Sequence, residues 1–258
     1  MILFMLKKAF FDMWDNLFPL ILMNLGFILL LALPIYLPYL LVGASSALAL
    51  LSLALGLLAL FVYAGGMGLA VKELADYQGV GFKDFWAFIK KSWKYSLVLG
   101  GIFIFQAWVL SVAIPVYAGM KNILGLVALV VLFWASVIWI LSSQYFYPIL
   151  TRLDQRLPKI FKKCFILFFD NTGFTIWLGT VGLAVGALSL FTAFLLPGPA
   201  SVMLWGQVGF KLRLLKYDWL EKNPEARRKD IPWDALLVDE RERVGKRTLK
   251  GMIFPWKE

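Results

Sequence analysis

The sequence contains no histidine, and its 258 residues include a single cysteine, Cys164. These absences exclude histidine-based zinc sites, Ser-His-Asp and Cys-His nucleophilic arrangements, histidine proton relays and any disulfide within the chain. Charge is also scarce, at 16% of residues, and it is clustered. What fills the space is apolar: 61% of residues are hydrophobic and the mean hydropathy is +0.77. Soluble domains hold roughly 45–50% apolar residues.

Uncharged stretches run from Asn16 to Val71, Tyr95 to Met120, Asn122 to Thr151 and Asn171 to Phe210. In hydrocarbon each must satisfy its own backbone as helix. The fold class is therefore an all-α polytopic membrane helix bundle. The first stretch is long enough for two spans, divided near "LPIYLPYLLVGASS", and the last breaks at "LLPGPAS", where Pro-Gly-Pro stops a helix. Six spans are expected, at about 17–40, 46–71, 95–116, 122–150, 173–196 and 199–219. The sixth is short of apolar length and spans only if Lys211 and Arg213 snorkel to the interface. With six spans, 25 of the 26 basic residues lie on one side and only Lys121 on the other. Lys and Arg bias sets orientation, so both termini are expected in the cytoplasm. The first 50 residues read as an anchor within the fold rather than a signal peptide. The net charge of +10 follows the membrane face, which points to anionic headgroups as the partner and away from nucleic acid.

Three stretches carry an apolar, aromatic stripe at helical spacing beside lysines. They are residues 1–16 (with Lys7, Lys8 and Trp14), 81–94 (with Trp86, Lys90, Lys91, Trp93 and Lys94) and 157–171 (with Lys162 and Lys163). Each precedes a two-span hairpin whose turn contains proline. The chain therefore reads as three units of amphipathic helix plus hairpin, at 1–78, 79–155 and 156–220, followed by a cytoplasmic tail at 221–258. The stripes either lie in the cytoplasmic interface, ammonium groups toward headgroups, or pack on neighbouring spans.

The segments "FFDMWDNLFPLILMN", "LALPIYLPYLLVGASSALALL" and "GVGFKDFWAFIKKSWKYSLVLG" resemble the YesL-like family of small bacterial integral membrane proteins. The resemblance covers about residues 1–215 and is most specific at Leu33, Pro34, Gly43, Ser45, Ala47 and Leu48, and at Phe82, Phe85, Lys90, Trp93 and Lys94. It implies a bacterial cytoplasmic membrane and an accessory role linked to carbohydrate uptake or sensing. It carries over no catalytic residue.

All 16 acidic residues fall at or beyond the expected span ends. Intramembrane chemistry is thus reduced to neutral groups, of which Asn24, Gln106 and Gln207 serve as helix glue or line a path for a neutral solute. Gly182 and Gly186, and Gly65, Gly66 and Gly68, permit close helix approach. Asp15-Asn16 and Asp170-Asn171 are placed to cap the helices that follow. Three tryptophans, Trp219, Trp233 and Trp256, mark the tail as a docking segment for the chain's own helices or a protein partner. No residue set reads as a cofactor, metal or catalytic site. The expected function is a non-enzymatic membrane accessory protein acting through protein contacts. A transporter or pore for a small neutral solute is the alternative, and a lipid-active enzyme ranks third.

Overall fold

A computed structural model describes residues 1–226 and 231–247. Trp256 and the remaining tail positions lie outside the described residues. Eleven helices and no strand occur among the described residues: α1 (Ile2–Asp15), α2 (Leu17–Leu41), α3 (Ser46–Ala75), α4 (Phe82–Gly119), α5 (Ile123–Ser143), α6 (Phe146–Arg152), α7 (Leu157–Asp170), α8 (Thr172–Phe191), α9 (Pro199–Lys222), α10 (Trp233–Leu236) and α11 (Val238–Val244). Five helical stretches are long and apolar enough to cross a membrane: 17–41, 46–75, 82–119, 123–152 and 172–191. The chain is a multi-pass membrane protein.

The expected prolines do not make the first two turns. Pro34 and Pro38 lie inside α2, and Pro115 lies inside α4. The chain turns later, at residues 42–45 and 120–122. Intramembrane helices tolerate proline where neighbours cover the freed backbone. Pro34 is buried against Gly56, where a Cβ would come within 2.8 Å of the proline nitrogen.

The second amphipathic stretch is not a separate helix either. It continues without a break into its span, because no glycine or proline interrupts the run between Phe82 and Leu99. At 1.5 Å per residue the 38-residue α4 is about 57 Å long, nearly twice the roughly 30 Å of a hydrocarbon core. Its lysine-bearing end therefore projects beyond the apolar layer.

The third hairpin differs most from the other two. α8 stops at Phe191, short of residue 196, and Ala193 and Phe194 adopt positive φ before Pro197 and Pro199 redirect the chain. Leu178 meets Trp205, and Gly182 meets Val202, so α8 and α9 are antiparallel. α9 is parallel to α3: Gln207 Nε2 donates to Gly68 O, and Lys211 Nζ to Ala75 O. The hairpin tip rests against Asn24, which donates to Leu195 O and accepts from Ala200 N at 3.0 and 2.9 Å. Asn24 is fully buried, and it satisfies two backbone groups that no helix could pair at that depth. α2 runs on for 17 residues past Asn24, about 25 Å at helical rise. The first hairpin therefore outreaches the third by that distance, and the three units are not equivalent.

α9 runs through the middle of the protein, against α1, α2, α3, α6 and α8. Every residue from Leu204 to Phe210 except Gly206 is buried. Ser201, Gln207 and Lys216 on it are buried in protein, and together with the charges from Lys211 onward they lower its hydropathy although the helix belongs to the core.

Candidate functional site

The end of the bundle where α3 terminates carries a buried ionic network. Lys8 is fully buried. Its Nζ lies 2.9 Å from Asp12 Oδ2 and 3.2 Å from Glu240 Oε2, and it donates to Tyr77 Oη at 2.7 Å. Lys211 bridges Glu240 and Asp76 at 2.7 and 3.1 Å. Arg152 grips Asp76 with both terminal nitrogens, at 3.0 Å each, and its Nε donates to Gln207 Oε1. Lys72 on α3 joins the network, 3.3 Å from Asp76 and 3.1 Å from Glu73, so that four cations and four carboxylates from α1, α3, α6, α9, α11 and the α3–α4 turn balance one another. Dispersed in apolar surroundings, each of these charges would cost several kcal/mol.

Tyr77 is the hub. It occupies a left-handed position (φ 62°) just after α3, and its N–H and that of Gln78 close back onto Leu74 O and Glu73 O. Glycine usually takes that place in such a cap. A tyrosine there brings an aromatic face beneath Lys8, Lys211 and Arg243, at 4.0, 5.1 and 5.2 Å. Its hydroxyl also donates to Glu240 at 3.0 Å.

The carboxylates divide by environment. Burial pushes Asp12 up to about 6, against the pull of Lys8. Burial also raises Asp76 and Glu240, but Arg152 and Lys211 around the first, and Lys211 and Lys8 around the second, hold both below the usual carboxylate range.

The tail completes this network. α10 and α11 fold back so that Leu237 and Val244 are buried and Trp233 packs on the core. Lys7 donates to Gly245 O, and Arg247 pairs with Asp15 at 2.8 Å. Trp219 is half-buried on α9.

The expected interfacial residues part company. Trp14, Trp86 and Trp93 are exposed, as are Lys90, Lys94 and Lys162. Lys91 lines a cavity of about 180 Å³ with Lys72 and Glu73. Lys163 pairs with Asp154 at 3.1 Å. Lys8 is a correction: it points inward, away from any headgroup, because Glu240 and Tyr77 replace water around its ammonium. In α1 Leu3, Leu6 and Trp14 are exposed, and the covered side sets Lys8 and Asp12 among Met5, Ala9 and Phe11. In α7 the covered side is apolar, with Cys164 and Phe168 buried and Lys159 and Lys162 exposed. Asn16 and Asn171 donate back to Asp12 O and Leu167 O rather than forward as caps.

Asn24, Gln106 and Gln207 do not converge on one cavity. Asn24 holds the α8–α9 tip, Gln207 is tied to Arg152, Gly68 and Thr151, and Gln106 sits half-buried on α4. Gln207 does border a lateral cavity of about 720 Å³ between α5, α8 and α9, which neither of the others reaches. Gly179, Gly182, Gly186 and Gly206 line it. A Cβ on Gly186 or Gly206 would meet nothing, whereas one on Gly65 would fall 2.0 Å from Ser96 Oγ. Gly65 and Gly66 on α3 and Gly209 on α9 serve close contact, whereas Gly186 and Gly206 open a groove. Spacing alone cannot separate these two uses.

The chain matches no family model, no curated protein and no solved structure.

Proposed function

We propose that this chain is an accessory protein of a bacterial cytoplasmic membrane that acts by contact with a second protein rather than by catalysis. The observation that supports this reading is the clasp between the two ends of the chain. Residues 231–247 do not hang free but close over α1, so that α1, α10 and α11 form one ordered surface at the basic end. Asp234, Val238, Asp239 and Glu242 point outward from it, available to a partner. The excess of Lys and Arg at that end supports a cytoplasmic orientation for it. α8 and α9 run antiparallel, which supports a reading in which α1 and α11 share that face. The YesL-like resemblance adds carbohydrate uptake or sensing as the setting.

A photocrosslinking residue at Val238, with a second variant carrying it at Leu124 at the start of α5, tests the contact in native membranes. Protein adducts at position 238 and none at 124 are expected. Repeated recovery of the protein alone, in mild detergent as well as after crosslinking, would overturn the proposal. The orientation has its own assay. Cys164 is buried and burial pushes its thiol up to about 12, so it stays silent toward maleimide. Lys246→Cys should then label only after the cells are opened, and Lys121→Cys in intact cells.

A further inference from the structure

The lateral groove between α5, α8 and α9 has three properties that together describe a guest. Its lining contains no charged residue, so a charged group drawn into it would be left uncompensated in low dielectric. Its walls are long and smooth. The stretch of α8 from Leu178 to Leu190 runs about 18 Å at helical rise, and the glycines along it leave space where side chains would otherwise reach.

Polar groups gather at one end only. Gln207 has both ends of its amide occupied within the protein, and Tyr147 turns its hydroxyl to Phe61 O. Gln144 is different. Its Nε2 donates to Leu141 O and Thr175 O, at 2.7 and 3.1 Å. Two carbonyls take both amide protons, and this fixes which end of the amide is oxygen. Gln144 lines the groove, and no hydrogen bond among the described residues reaches its Oε1, which stands 3.7 Å from where a Cβ on Gly179 would be, with Nε2 at 3.9 Å. The far end, at Gly186, Leu190, Val202 and Met203, is apolar.

We propose that the groove binds an uncharged long-chain alcohol, a neutral amphiphile taken up sideways from the bilayer. Its chain lies along the α8 glycines and its hydroxyl donates to Gln144 Oε1. This site is independent of the protein contact proposed above: it lies on the lipid-facing flank and uses none of the tail.

The test uses the full chain in nanodiscs of zwitterionic lipid, with a diazirine-bearing hexadecanol as photoprobe. Adducts are expected on residues 140–148 and 178–190. Unlabelled hexadecanol should compete about fivefold better than its methyl ether, the worth of one hydrogen bond to a neutral acceptor, and better than palmitate. Gly186→Leu and Gly206→Leu should each cut labelling at least tenfold. Gly101→Leu, also facing open space but on α4, should leave it unchanged. Labelling untouched by both groove variants overturns the site. Equal competition by the ether or by palmitate, measured on the native protein, overturns the uncharged hydroxyl head.

Discussion

Lys8→Met should release the tail. In the native protein the Lys8 ammonium is sealed from water and touches Asp12, Glu240, Tyr77 and the carbonyl of Ala75. Methionine matches its length but leaves Asp12 and Glu240 facing one another with a charge fewer between them. Removing one partner of a buried ion pair costs about 3–5 kcal/mol. Lys211 still holds Glu240, so only part of that cost falls on tail docking. Each 1.4 kcal/mol is a tenfold change in population, so the undocked fraction should rise at least about tenfold. Trypsin reads this directly, because Arg241 and Arg243 lie on α11. With opening fast relative to cleavage, the cutting rate follows the open population. Lys7→Met, which removes one half-buried hydrogen bond to Gly245 O, should change the rate less than about fivefold. Replacing both partners, Lys8→Met with Asp12→Leu, should recover much of the loss, since well-packed apolar residues substitute for buried pairs. Native protection of the tail in Lys8→Met, or a double variant worse than the single, would refute the network's role.

Asn24→Ala strips the α8–α9 tip of two hydrogen bonds and should lower stability by about 1–3 kcal/mol, seen as a reduced Tm in detergent and faster amide exchange at residues 195–200. Gly65→Ala should cost about 1–3 kcal/mol by overpacking against Ser92 and Ser96, while Gly186→Ala should leave Tm unchanged. Stability should also depend on pH with two opposed slopes. Asp12 binds its proton more tightly when folded, at about 6 against an ordinary 3.8, so lowering the pH through 6 stabilises the protein. Asp76 and Glu240 bind theirs less tightly when folded, so their contribution is lost as the pH drops below about 4.5. A Tm maximum between those limits is expected, and Asp12→Asn should abolish the rise on its high-pH side.

Much of the membrane architecture was legible because hydrocarbon leaves little choice. Helices α2, α3, α5 and α8 begin within about two residues of their expected starts, since charge, Asn and Ser punctuate those boundaries. The third hairpin was harder to read. Its shortfall depends on Asn24, whose partners lie 171 and 176 residues away. The ionic network was half visible: Lys8 and Asp12 stand four residues apart on one helix face, a spacing that pairs charges. What could not be seen was that Glu240 closes over them. An amphipathic pattern says that two faces differ, not which one is covered: α7 covers an apolar face, while α1 covers a mixed one that includes Lys8 and Asp12. Tyr77 left no local signal, because nothing in "LADYQG" demands a left-handed tyrosine.

The pairing of Lys8 with Glu240 also sets a timetable for biogenesis. The ammonium is translated well before its counterion, which follows 232 residues later. Until Glu240 has been made, the Lys8 ammonium lacks that partner, and settling α1 against α9 would bury it incompletely paired. Final docking of the amino-terminal helix is thereby withheld from any nascent chain that stops short of residue 240.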